Sequence, residues 1–296
     1  MKTALYKMHA AIFLWGFTGI LGKLISLNEG MLVWYRLLIS AVAIGIILVW
    51  SKKLPKISFN ELLKISGIGI IVMLHWVAFY GSIKMASISV AMICLSSIAL
   101  FASILEPIVN KTKFDYTEII FSVFALAGIA TIYHSDTSAS LGILIGILSA
   151  LLSAIFSVLN RRIASKYESL TISFIELTSG LLFLTLLLPL YFQIQPTDKI
   201  IPDEMDLFYL LILSLVCTVL TWILSLQALR HVSAFTLGLA LNLEPIYGII
   251  LAVVFAGEAD ILNTGFYIGA GIILITVVLH SIYKKRVSRK IPIAIP

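Results

Sequence analysis

The chain has 296 residues, 60% of them hydrophobic and 12% charged, and Lys plus Arg outnumber Asp plus Glu by 21 to 15. Soluble domains carry about 25% charged residues, and a soluble fold of this length could not cover so much apolar surface, so the surrounding solvent is lipid. The positive surplus, which in a soluble protein would point to nucleic acid, is here a membrane signal and excludes a nucleic-acid partner; Cys94 and Cys217 both lie in apolar runs and provide no disulfide framework.

A spanning helix needs about 20 mainly apolar residues. Ten stretches qualify: 5–24, 31–50, 63–83, 87–110, 117–134, 141–160, 171–192, 207–228, 234–256 and 265–283. The first follows Lys2 and Lys7 as a secretory leader would, but no small-residue cleavage site comes after it, so it reads as a retained span. Its Gly16, Gly19 and Gly22 mark a close-packing face. The second span carries Arg36. The third carries His75 and Trp76, with Phe79 and Tyr80 a turn further on. The fourth has Glu106-Pro107 near its end. The sixth presents Gly142, Gly146, Ser149, Ser153 and Ser157 along one side, and the seventh contains Glu176. The ninth reads LALNLEPIYGII over 239–250, which places Asn242, Glu244 and Pro245 near its middle; Gly265 and Gly269 stand in the tenth. The breaks between spans (LNEG at 27–30, SKKLPK at 51–56, SDTS at 135–138, QIQPTDKIIPDEMD at 193–206) have turn or charge chemistry. No stretch alternates polar and apolar as a barrel strand does, so the predicted fold class is an all-α membrane protein with ten transmembrane helices.

With the N-terminus taken as cytoplasmic, seventeen basic residues fall on the inner side, from Lys2 to the tail KKRVSRK at 284–290. Three fall on the outer side (Lys23, Lys84, Lys199), and Arg36 is left inside a span. That bias predicts cytoplasmic termini and an outward-facing 193–206 loop. The basic tail, 284–296, reads as an inner-leaflet anchor.

The two halves of the chain look alike. IKMASISVAMI (83–93) matches QALRHVSAFTL (227–237) at an offset of 144, with Ser89 opposite Ser233. ALAGIATIY (125–133) matches IGAGIILIT (268–276), and MLVWYRLLISAVAI (31–44) lies over TISFIELTSGLLFL (171–184), which sets Arg36 opposite Glu176. A repeated unit of five helices must cross the membrane in opposite senses, and inverted repeats with a midplane site are a mark of secondary transporters. The segments HWVAFYGSIKMASISVAMICLSSIALFASILEPI (75–108) and LQALRHVSAFTLGLALNLEPIYGIILAVVFAGE (226–258) resemble the drug/metabolite transporter superfamily, in its EamA-type branch of paired five-helix domains. The second segment carries Ser233, Glu244-Pro245 and a closing Gly257-Glu258. The first departs from the pattern: its Glu106-Pro107 comes six residues late, and KTKFDY replaces Gly-Glu. The resemblance covers nearly the whole chain and implies a first EamA-like repeat over 1–135 and a second over 136–283, a bacterial inner-membrane location, and export or uptake of small metabolites.

Charges at bilayer depth cost a few kcal/mol and so face a cavity or a partner. Glu244 and Asn242 are therefore expected along the translocation path, meeting a substrate amine or taking a proton, with His75, Trp76 and Tyr80 as a cavity wall. The alternatives are a structural acid at a kink, a packing histidine and aromatic interface filler. Pro245 and Pro107 are expected to break their helices. Arg36, Glu176 and Glu106 are expected to form gate or structural ion contacts. No phosphate-binding loop or metal-ligand cluster occurs, so neither cofactor nor metal is expected. The expected partners are a small-molecule substrate and the lipid bilayer, with a homodimer left open. The leading reading is a transporter, not an enzyme, with a lipid-linked carrier translocase and an intramembrane enzyme as rivals.

Overall fold

A computed structural model describes residues 2–52, 57–111, 114, 116–135, 139–164, 166–224 and 243–290, and every regular element among them is a helix. The first half contains α1 (Lys2–Leu24), α2 (Glu29–Trp50), α3 (Phe59–Met85), α4 (Ile88–Leu95), α5 (Ile98–Asn110) and α6 (Tyr116–Ser135). The second contains α7 (Ser140–Ala164), α8 (Ser169–Ile194) and α9 (Glu204–Leu211), which runs on into a π-helical stretch, Ile212–Leu220. After it come α10 (Glu244–Phe255), a single 3-10 turn (Glu258–Asp260) and α11 (Thr264–Lys290). Among the described residues, six stretches are long and apolar enough to cross a bilayer: 29–50, 59–85, 88–109, 140–160, 169–194 and 204–224. Shorter apolar helices cover 123–135, 244–255 and 264–280.

Polar caps start these helices. The Asn28 side chain accepts from Met31 N–H at 2.8 Å, Asp203 from Asp206 N–H at 2.8 Å and Asn263 from Phe266 N–H at 2.8 Å. Each satisfies a first-turn donor that the helix itself leaves unpaired. At the other ends, Lys52 and Lys111 follow α2 and α5 in the left-handed conformation, and Gly257 does so after α10.

The fourth apolar stretch corrects one expectation. Pro107 does not break its helix: it lies inside α5, which continues to Asn110. The interruption falls at Ser96 and Ser97, whose N–H groups bond back three residues, to Ile93 and Cys94 at 3.1 and 3.0 Å. The Ser97 hydroxyl donates to the Cys94 carbonyl as well. Hydroxyls that compete for helix carbonyls loosen the ladder here, whereas a proline in a packed membrane helix is tolerated where its freed carbonyl finds another donor. Elsewhere α11 carries the helix seven residues past the apolar stretch, to Lys290. Residues 234–242 of the ninth stretch, Asn242 included, lie outside the described residues.

The halves pack through a pattern with internal symmetry. Between them α3 lies on α7 and α8; α2 on α8 and the π stretch; α1 on α10 and the π stretch; α4 on α10; α5 and α4 on α7; and α6 on α11. Treat α4–α5 as one rod and α9 with its π stretch as another, then exchange the halves in order. The α3–α7 contact becomes π stretch–α1, α3–α8 becomes π stretch–α2, and α5–α7 becomes α10–α1. The pairs α2–α8, α4–α10 and α6–α11 map onto themselves.

Small residues permit this approach, because helices in lipid associate by close van der Waals packing rather than by a hydrophobic drive. A Cβ on Gly128 would sit 2.8 Å from the Gly269 carbonyl, and one on Gly269 2.5 Å from that of Gly128, so α6 and α11 touch backbone to backbone. On the outside, Leu182, Leu186 and Leu190 follow one another a turn apart on α8 and are 61%, 78% and 55% exposed, a face suited only to acyl chains.

Alternate loops gather at one end. The Ser26 backbone N–H and hydroxyl donate to the two Asp206 oxygens at 2.7 and 2.8 Å. Lys199 pairs with Asp203 and Asp206 at 2.6 and 2.7 Å, and Lys84 donates to the Ile25 carbonyl at 3.0 Å. Asn263 reaches the Ser135 carbonyl at 3.0 Å. The Asp203 carboxylate raises the Lys199 ammonium above the usual lysine range, and the Asp206 N–H bonded to Asp203 holds that carboxyl below its own. The Glu258 carboxylate crosses between halves to accept from the N–H groups of Ile88 and Ser89, at 2.7 and 2.8 Å.

Candidate functional site: a buried arginine among aromatics and hydroxyls

Three helices each supply a pair of residues four apart, which places both on one helix face. The α2 pair is Arg36 and Ser40, the α3 pair Trp76 and Tyr80, and the π stretch supplies Ser214 and Thr218. Arg36 is 4% exposed, and Ser40, Tyr80, Ser214 and Thr218 are fully enclosed. The Arg36 guanidinium carbon stands 3.7 Å from the centroid of the Trp76 ring and 5.8 Å from that of Tyr80. Its Nε donates to Thr218 Oγ1 at 3.1 Å and its Nη1 to the Tyr80 hydroxyl at 2.9 Å. Ser40 donates to the Ser214 carbonyl at 3.3 Å.

The π-helical winding has a local purpose. Thr218 donates its own hydroxyl proton to the Leu213 carbonyl, five residues back, at 2.9 Å. Its oxygen lone pairs are thus left for Arg36. π-Helical turns are rare and frequently lie at functional sites. Gly22 of α1 completes the enclosure: any Cβ there would collide with the Tyr80 ring. Among the described residues no carboxylate pairs with Arg36. Its positive charge is held by ring faces and neutral acceptors, which suits a desolvated guanidinium.

The other sequence-nominated residues fall elsewhere. Glu244 opens α10, half-buried, with Pro245 next to it in the first turn, where a missing N–H costs nothing because the helix has no partner for it. One turn on, Gly248 and Gly19 of α1 close around Met92 of α4. His75 points to α7: Nδ1 is 2.9 Å from both the carbonyl and the hydroxyl of Ser149, and that hydroxyl donates to the His75 carbonyl at 3.1 Å. A proton on Nδ1 satisfies the whole set, and Phe79 and Phe156 lie against the ring. Glu176 is 1% exposed on α8, bonded to Asn160 of α7. Glu106 is half-buried near the end of α5. The structure thus unites Arg36, Trp76 and Tyr80 and sets His75, Glu176 and Glu106 apart from them.

Sequence reasoning missed the π-stretch face. Ser214, Cys217, Thr218 and Thr221 recur at three- and four-residue spacing in an otherwise apolar run, and that stripe was the available signal. It also missed what Glu258 does.

A crystal structure of another protein aligns with this fold at a TM-score of 0.65 and 15% identity, over 97% of this chain and 99% of that one, a likeness of fold alone. No curated protein matches the sequence. The model of the EamA-like transporter family matches twice, over residues 2–134 and 140–282. Apolar helices and two family repeats make this an integral membrane protein of a class that moves small molecules rather than transforming them. The chain belongs to the EamA-like transporter family.

Proposed function

We propose that the chain is a ten-span secondary transporter of the bacterial inner membrane that exports small organic metabolites such as amino acids. Its halves, 1–135 and 136–283, are inverted copies that rock about a shared chamber, and the tail at 284–296 stays with the N-terminus in the cytoplasm. The observation that carries this is the self-mapping contact pattern between halves. Five spans per half give the second copy the opposite sense, and alternating access follows from two such copies exchanging conformations. The grouping of alternate loops at one end supports the same topology, as does the inward bias of basic residues.

Glu244, at the start of α10, is the proton- or amine-binding acid of the cycle, and Trp76 and Tyr80 belong to the chamber wall. Reconstitution into liposomes with a panel of radiolabelled amino acids, comparing wild type with Glu244→Gln from pH 5.5 to pH 8.5, tests the reading. Saturable flux with a pH profile that flattens in the variant is expected. Absence of flux for every compound would refute the transporter; an unchanged profile would remove Glu244 from the path.

A further inference from the structure

Arg36 has five N–H donors in a planar fork. One on Nε and one on Nη1 are used, by Thr218 and Tyr80. Among the described residues the remaining three, one on Nη1 and two on Nη2, donate to nothing. A guanidinium enclosed in a membrane protein that, among the described residues, meets no acidic partner and keeps three donors unused is an anion receptor waiting for a planar, two-oxygen group. We propose that Arg36 binds the carboxylate of the transported molecule through its unused Nη1 and Nη2 donors, with Trp76 against its flat face.

This deepens the transporter reading and rests on it. The geometry explains why each neighbour is what it is. Thr218 and Tyr80 hold the fork at Nε and Nη1, so its orientation is set before a ligand arrives and little rotamer freedom is lost on binding. The π-helical turn aims Thr218 at Nε by committing its proton to Leu213. Trp76, at 3.7 Å, stabilises the cation without neutralising it, as an aspartate would.

The test uses purified full-length protein with Trp15, Trp34, Trp50 and Trp222 changed to Phe, leaving Trp76 as reporter. Its fluorescence is titrated with 3-phenylpropionate, with the isosteric neutral 3-phenylpropionamide, and with sodium chloride. The proposal expects a saturable change with the acid at least tenfold tighter than with the amide, and no competition from equimolar chloride. Arg36→Lys, which keeps the charge but not the fork, should weaken the acid about tenfold, and Thr218→Val, which frees the Nε edge, should weaken it several-fold. Both should leave the amide unchanged. A folding defect would weaken acid and amide alike, so the acid-to-amide ratio isolates the receptor role. Equal affinity for acid and amide, unchanged acid binding in Arg36→Lys, full competition by chloride, or no saturable signal each overturns the proposal. Flux in liposomes that does not discriminate acids from amides would sink this inference while leaving the transporter intact.

Discussion

Glu258 performs a task that its position in the chain does not announce. The helix α4 has eight residues, and its first four N–H groups need partners outside the helix ladder. Val90 N–H is met by Ser87 Oγ at 3.1 Å and Ala91 N–H by the Ser87 carbonyl at 3.1 Å. Among the described residues, Ile88 and Ser89 are met only by Glu258, which is 2% exposed. Each bond to a charged acceptor contributes about 1.5–3 kcal/mol, and each buried donor left unpaired costs about 1–3 kcal/mol. Glu258→Gln keeps one acceptor and turns an NH2 toward the other donor, for a loss of about 2 kcal/mol. Glu258→Ala abandons both donors and the favourable interaction with the helix dipole, for a loss of about 3–5 kcal/mol. The measurement is the apparent melting temperature in detergent, read as the surviving monodisperse peak after heating. The expected order is wild type, then Gln, then Ala, with Ala lower by about 5 °C or more. If both variants melt within about 1 °C of wild type, the carboxylate is not the cap.

Three further outcomes are expected. Lys111 occupies after α5 the left-handed position that Gly257 occupies after α10, so Lys111→Gly should raise stability by about 0.5–1 kcal/mol, seen as a higher melting temperature, with Lys111→Ala giving no gain. Gly69→Ala would drive a methyl into the backbone carbonyl of Glu176 and should cost about 1–3 kcal/mol or more, whereas Gly67→Ala on the same helix meets nothing within 4 Å and should be neutral or better. Asp203 is held below its ordinary value of 3.8, so its contribution is present above that value and lost as pH falls further; Lys199 is raised above 10.5, so its contribution is present below that value and lost as pH climbs beyond. Asp203→Asn should therefore lower the melting temperature at pH 7 in low salt. The difference should shrink progressively as pH falls below 3.8, and shrink also in high salt.

Composition and span length were enough to read a helical membrane protein, because lipid leaves the backbone almost no alternative to helices that satisfy themselves. The repeat was legible too, since Arg36 over Glu176 and the short links before Ser89 and Ser233 recur in order. The depth of Arg36, Trp76 and Tyr80 marked each as a candidate, because a charge or polar aromatic inside a span must find a partner. Local rules misled at Pro107, where the chain bends instead at two serines eleven and ten residues earlier, because competition for carbonyls depends on which neighbours supply replacement donors. Which candidates meet was decided by tertiary structure alone. Helix rotation turned His75 to α7 and its neighbour Trp76 to α2, although they are adjacent in sequence, and a wider winding of one stretch brought Thr218 to Arg36 across 182 positions. The cap that Glu258 places on α4 spans 170 positions and joins the two halves. Periodicity reports which face of a helix is apolar; only packing against particular neighbours fixes what the remaining polar groups reach.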